Sequence, residues 1–198
     1  MQRTDSSVIM LRAWVLERSP AVVGVSVVVA ILLNGLTSWV STALSAPLFL
    51  DSIFTLVAAV IFGPVVGAIT GMGSNLFQEL IFGLTGTNWQ FGVVNAASGI
   101  IMGVLASRGL FRSGAHIVIA TLVLTLSNAF LGTLVALFVF GGATGIEVDY
   151  ISMGLLLTGK SMFWAAFLAR VPVNLVDKAI SVIVAFYAYR AVFVHADD

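Results

Sequence analysis

Arg170, Asn174, Asp177 and Ser181 follow one another at steps of four, three and four residues, and Lys178 adjoins Asp177. Such steps put side chains on one helical face. The surrounding run, 170–190, is otherwise compatible with lipid: Ser181 is the only polar residue from Ile180 up to the tyrosine at 187. Ionisable groups inside an apolar helix are costly, so they face protein or water and point to a function. The competing role is a staple, an Asp–Lys or Asp–Arg pair that only locks helices together. Pro172 suits the first turn of a helix starting at 170, where its missing N–H would be unpaired in any case.

Composition restricts the elements that can position these residues. The chain has 198 residues, 60% hydrophobic and 9% charged, with a mean hydropathy of +1.10. These values exclude an ordinary soluble domain and predict an all-α integral membrane protein, about six spans of roughly 20 residues in one bundle. Cysteine is absent, which excludes disulfides and thiolate chemistry. His116 and His195 stand near span ends without metal-ligand spacing. Zero formal net charge gives no case for nucleic acid. There is no P-loop pattern, and no nucleophile, metal set or acid–base pair, so neither an enzyme nor a cofactor is expected.

The polar segment 1–19, with a short interfacial helix over 10–16, is expected in the cytoplasm. The apolar run that follows is longer than that of a cleaved signal peptide. Spans are predicted over 20–41, 49–63, 64–82, 91–107, 115–140 and 170–190, within a membrane domain 20–192 followed by a tail 193–198. The second, about fifteen residues long, reaches only about 22 Å against a hydrocarbon core of roughly 30 Å. Gly63 and Pro64 make the turn into the third. Gly67 with Gly71, and Gly99 with Gly103, read as seams where helices approach closely. The longest connection, 141–169, carries Glu147, Asp149, Tyr150 and Lys160, and its end, 161–169, is predicted to form a short helix over the bundle.

Arg3, Arg12, Arg18, Arg108, Arg112 and Arg190 fall on one side of six spans, and Lys160, Arg170 and Lys178 on the other. Both termini are then cytoplasmic. With that orientation the polar residues gather toward the outer face: Asn34 and Ser38, Asp51 and Thr55, Gln78 and Glu79, Asn95 and Ser98, and the stripe from Arg170. A channel would need polar lining along its whole length. The pattern instead describes an outward bowl above close-packed apolar helix, suited to a small solute. The candidate binding residues are Asp51, Glu79, Asn88, Trp89, Asn95, Asn128, Lys160, Arg170, Asn174, Asp177 and Lys178. Asp51 could equally be a helix N-terminal carboxylate, and Trp89 an interfacial anchor. The mixed charges favour a polar or zwitterionic molecule over a lipid.

Four segments, PheLeuAspSerIlePheThr (49–55), PheGlyProValValGlyAlaIleThrGly (62–71), ValAsnAlaAlaSerGlyIleIleMetGly (94–103) and ArgValProValAsnLeuValAspLys (170–178), resemble substrate-binding S components of energy-coupling factor (ECF) transporters. The likeness covers nearly the whole chain, in order and in span count. It implies six helices, cytoplasmic termini and a vitamin-sized site near the outer face, capped by loops corresponding to 42–48, 83–90 and 141–169. It also implies a transmembrane scaffold subunit and two cytoplasmic ATPases as partners. Docking in that family uses an Ala-x-x-x-Ala face of the first span, for which Ser26 and Ala30 are the nearest match. The implied mechanism is capture outside, then tilting of the whole component to open the site inside. The rival reading is a membrane sensory or receptor domain that binds a small ligand.

Overall fold

The computed structural model describes residues 19–145 and 148–193, and among them the secondary structure is entirely helical. The expected 10–16 helix lies outside the described residues, as do residues 194–198 of the expected tail 193–198, whose first residue, Phe193, belongs to the last helix. Seven α-helices follow in order: α1 Pro20–Ala43, α2 Ile53–Phe62, α3 Pro64–Ile81, α4 Gly92–Ser107, α5 Gly114–Phe140, α6 Val148–Leu157 and α7 Met162–Phe193, with a 3-10 turn at Trp89–Phe91. Among the described residues, four segments are long and apolar enough to cross a membrane: Pro20–Ala43, Trp89–Ser107, Gly114–Phe140 and Met162–Phe193.

Local signals set the helix ends. Ser19 caps α1 by accepting the N–H of Val22, with Pro20 in the first turn, which satisfies one of the donors a helix start leaves open. Gly63, at φ 95°, separates α2 from α3; a side chain there would be strained. The left-handed Gly141 ends α5, a common helix stop.

The glycine seam forms between α3 and α4. A Cβ on Gly99 would lie 2.3 Å from the Gly67 carbonyl carbon, and one on Gly71 2.5 Å from the backbone of Asn95. Only glycine allows backbones this close. The short α2 packs against α1, α3, α4 and α7. With α4, α5, α7 and Phe111 of the link between α4 and α5 it forms an apolar core that includes Leu56, Met102, Leu124 and Val182. This core occupies one end of the bundle, below the polar residues of the same helices.

Three expectations need correction. The last helix starts at Met162, eight residues before 170, and Pro172 lies inside it. An interior proline removes one helix hydrogen bond and costs about 3 kcal/mol. Breaking the helix in apolar surroundings would instead free several backbone groups at once, so the continuous helix wins. Residues 162–169 therefore belong to α7, and the short helix in the long connection is α6. The second helix is shorter than expected, 10 residues or about 15 Å, because the chain stays non-helical to Ser52. In that stretch Leu50 adopts φ 46° and is held from both sides: its N–H by Asp177 at 2.7 Å, its carbonyl by the Thr37 hydroxyl.

Candidate functional site

A cavity of about 360 Å³ opens at the polar end of the bundle. One wall comes from α1 and α3 through Ser38, Asn75 and Gln78, and a second from α4 and α5 through Asn95 and Asn128. A third comes from α7 through Arg170, Asn174 and Lys178, while Asp51 enters from the non-helical stretch before α2. Phe49, Phe82 and Phe91 supply aromatic surface, and Phe91 stacks on Phe140 at 5.9 Å. Concave apolar walls with a few aimed polar groups are the usual form of a small-molecule site.

The α7 stripe is buried on one face, as its spacing requires: Arg170, Asn174, Asp177, Lys178 and Ser181 are each 3% exposed or less. The five do not share one role. Arg170, Asn174 and Lys178 line the cavity, whereas Asp177 does not. Asp177 accepts the Leu50 N–H at 2.7 Å and stands 2.7 Å from the Lys178 ammonium. Through the Leu50 contact it pins the stretch that delivers Phe49 and Asp51. Lys178 donates to Ser52 at 2.6 Å.

The amides form a relay along the lining of the cavity. Asn95 donates to Asp51 at 2.8 Å and to Asn75 at 2.6 Å, and Asn75 donates to the Asn88 carbonyl at 3.1 Å. Asp51 shares the cavity lining with Lys178. Asn128 exchanges hydrogen bonds with Ser98 and donates to the Leu124 carbonyl. Asn34 is buried but structural, joining α1 to Thr55, Ser74 and the Phe54 N–H.

Of the eleven candidates, Asp51, Asn88, Asn95, Asn128, Arg170, Asn174 and Lys178 come together, and four do not. Glu79 accepts N–H groups from Gly86, Asn88 and Trp89, so it shapes the 83–90 loop from behind. Trp89 is 49% exposed, and Lys160 is exposed in the α6–α7 link. Asp177 is the fourth. Asn75 and Gln78, left out of the candidates, do line the cavity; their place beside Glu79 on one face of the third span was the signal. The aromatic residues at 49, 82 and 91 carried none, since span ends are commonly aromatic.

The small pair on α1 is placed as follows: Ser26 is half-buried. Ala30 is 7% exposed and packs inward. The outward face of α1 carries Val25, Val28, Leu32 and Leu36 instead. The three-helix contact made by Asn34 fixes that rotation, since Ala30 sits one turn before it on the same side.

No match was found among curated proteins or among solved structures. The model of one family, described as ECF transporter, substrate-specific component, matches residues 18–189, in agreement with the likeness of the four sequence segments. The chain belongs to the substrate-specific components of ECF transporters.

Proposed function

We propose that this chain captures a small, polar, vitamin-like micronutrient from outside the cell and delivers it inward as the binding component of an ECF-type importer. The observation that supports this most is the polar, aromatic-walled cavity at one end of the bundle, closed below by the apolar cluster around Leu56, Met102, Leu124 and Val182. A site open to one side with a dry floor can hold a solute but cannot conduct it. Inward release then needs movement of the whole component, driven by partners: a transmembrane scaffold subunit and two cytoplasmic ATPases. In this reading α2 and α3 count as two of six crossings of the cell membrane, α6 lies over the bundle, and both termini are cytoplasmic.

The test is uptake. Membrane vesicles holding the chain with a scaffold subunit and ATPases should accumulate, in an ATP-dependent way, the small molecule that co-purifies with the chain. Asn95→Leu, which removes the amide linking Asp51 to Asn75, should abolish retention of that molecule. Accumulation without ATP, or full retention by Asn95→Leu, would sink the proposal.

A further inference from the structure

Among the residues that line the cavity, two buried polar atoms have no hydrogen-bond partner: Gln78 Nε2 and Arg170 Nη2. Both side chains are 2% exposed, and both atoms are donors. Buried polar groups are nearly always paired, so each exception calls for a reason. The protein's own acceptors are committed elsewhere. Asp149 stands 4.0 Å from Arg170 Nη2, beyond hydrogen-bond reach, with its oxygens taking donors from Thr144 and Gly145. Gln78 spends its carbonyl oxygen on the Ser38 hydroxyl, at 3.3 Å. Lys178 is a poor seat for an anion, since Asp177 and Ser52 already engage its ammonium.

We infer that the substrate carries a carboxylate that docks on Arg170, together with a neutral acceptor, such as a ring or amide carbonyl, that takes the Gln78 N–H. This rests on the reading of the cavity as the substrate site. A guanidinium offers parallel donors that match a carboxylate. Arg170 Nη1 already bonds the Ala166 carbonyl at 3.2 Å, which fixes the group and leaves Nη2 as its unpaired donor. A single negative charge fits better than a phosphate dianion, because Asp51 lines the same cavity and an Asp149 oxygen stands 4.0 Å from the same Arg170 Nη2. A permanently cationic guest would meet two unpaired donors and gain nothing from either.

The experiment compares the full chain with Arg170→Gln and Arg170→Lys, each purified from cells grown on yeast extract, with folding checked by melting temperature. Small molecules released on denaturation are identified by mass spectrometry in both polarities. The expected result is one carboxylic acid enriched on the wild type, lost from Arg170→Gln and partly kept by Arg170→Lys. Its primary amide should bind the wild type about 10- to 150-fold more weakly, the worth of one charged hydrogen bond, a measurement that needs no variant to fold. A neutral or cationic compound enriched instead, an acid held equally by Arg170→Gln, or equal affinity for acid and amide, overturns the inference and leaves the substrate-site reading standing. No compound enriched on any of the three proteins overturns both.

Discussion

Asp177→Ala should destabilise the protein far more than it alters the chemistry of the cavity. The substitution removes the carboxylate that faces the Lys178 ammonium at 2.7 Å and accepts the Leu50 N–H at 2.7 Å. Lys178, 1% exposed, then keeps Ser52 as its hydrogen-bond partner. Breaking a buried pair by deleting one member costs about 3–5 kcal/mol. Asp51, which lines the same cavity as Lys178, offers a second carboxylate and points to the lower end. For a chain of this size the melting temperature should fall by about 6–20 °C. The double variant Asp177→Ala/Lys178→Met separates the causes. With neither member of the pair left, the Leu50 N–H stays unpaired, at about 1–3 kcal/mol, and the Ser52 hydroxyl loses its Lys178 donor, so the double variant should lose less than the two single variants summed. A double-mutant cycle in detergent should show a coupling of about 3 kcal/mol or more. Asp177→Ala melting with the wild type while losing substrate, or a double variant no better than the two losses summed, would refute the staple.

Three further outcomes follow from packing and hydrogen bonding. Gly99→Ala places a methyl 2.3 Å from the Gly67 backbone and should cost at least the ~1–3 kcal/mol of an overpacked core. Gly24→Ala, with open space around it, should be neutral or stabilising by up to ~1 kcal/mol; equal melting shifts would contradict the seam. Ala30→Leu should lower the melting temperature, because Ala30 packs inward; impaired assembly with a scaffold subunit at unchanged stability, read by pull-down, would instead support a docking role. Glu79→Ala should free the N–H groups of Gly86, Asn88 and Trp89, seen as faster amide exchange across 86–89 with the helices still protected.

Much of the architecture was legible because lipid-compatible helices leave coarse marks. The apolar runs placed α1, α4 and α5 to within a few residues, Gly63 and Pro64 marked the α2–α3 break, and the glycine spacing announced the α3–α4 seam. The inward face of α7 followed from helical periodicity alone. Pro172 misled because local propensity favours it at a helix start, while the cost of exposing several backbone groups at once, a property of the surroundings, outweighs one missing hydrogen bond.

What the sequence determined by itself was the list of polar groups and the faces they occupy, since periodicity turns spacing into direction along a helix. What only the tertiary structure decided was which of those groups are spent on one another. Asp177 and Glu79 are as polar as Asp51 in the sequence, yet the first is consumed by Leu50 and Lys178 and the second by the 83–90 loop. Gln78 and Arg170 keep a donor unused. Pairing depends on contacts between residues as far apart as Leu50 and Asp177, and spacing along one helix carries no information about a partner on another.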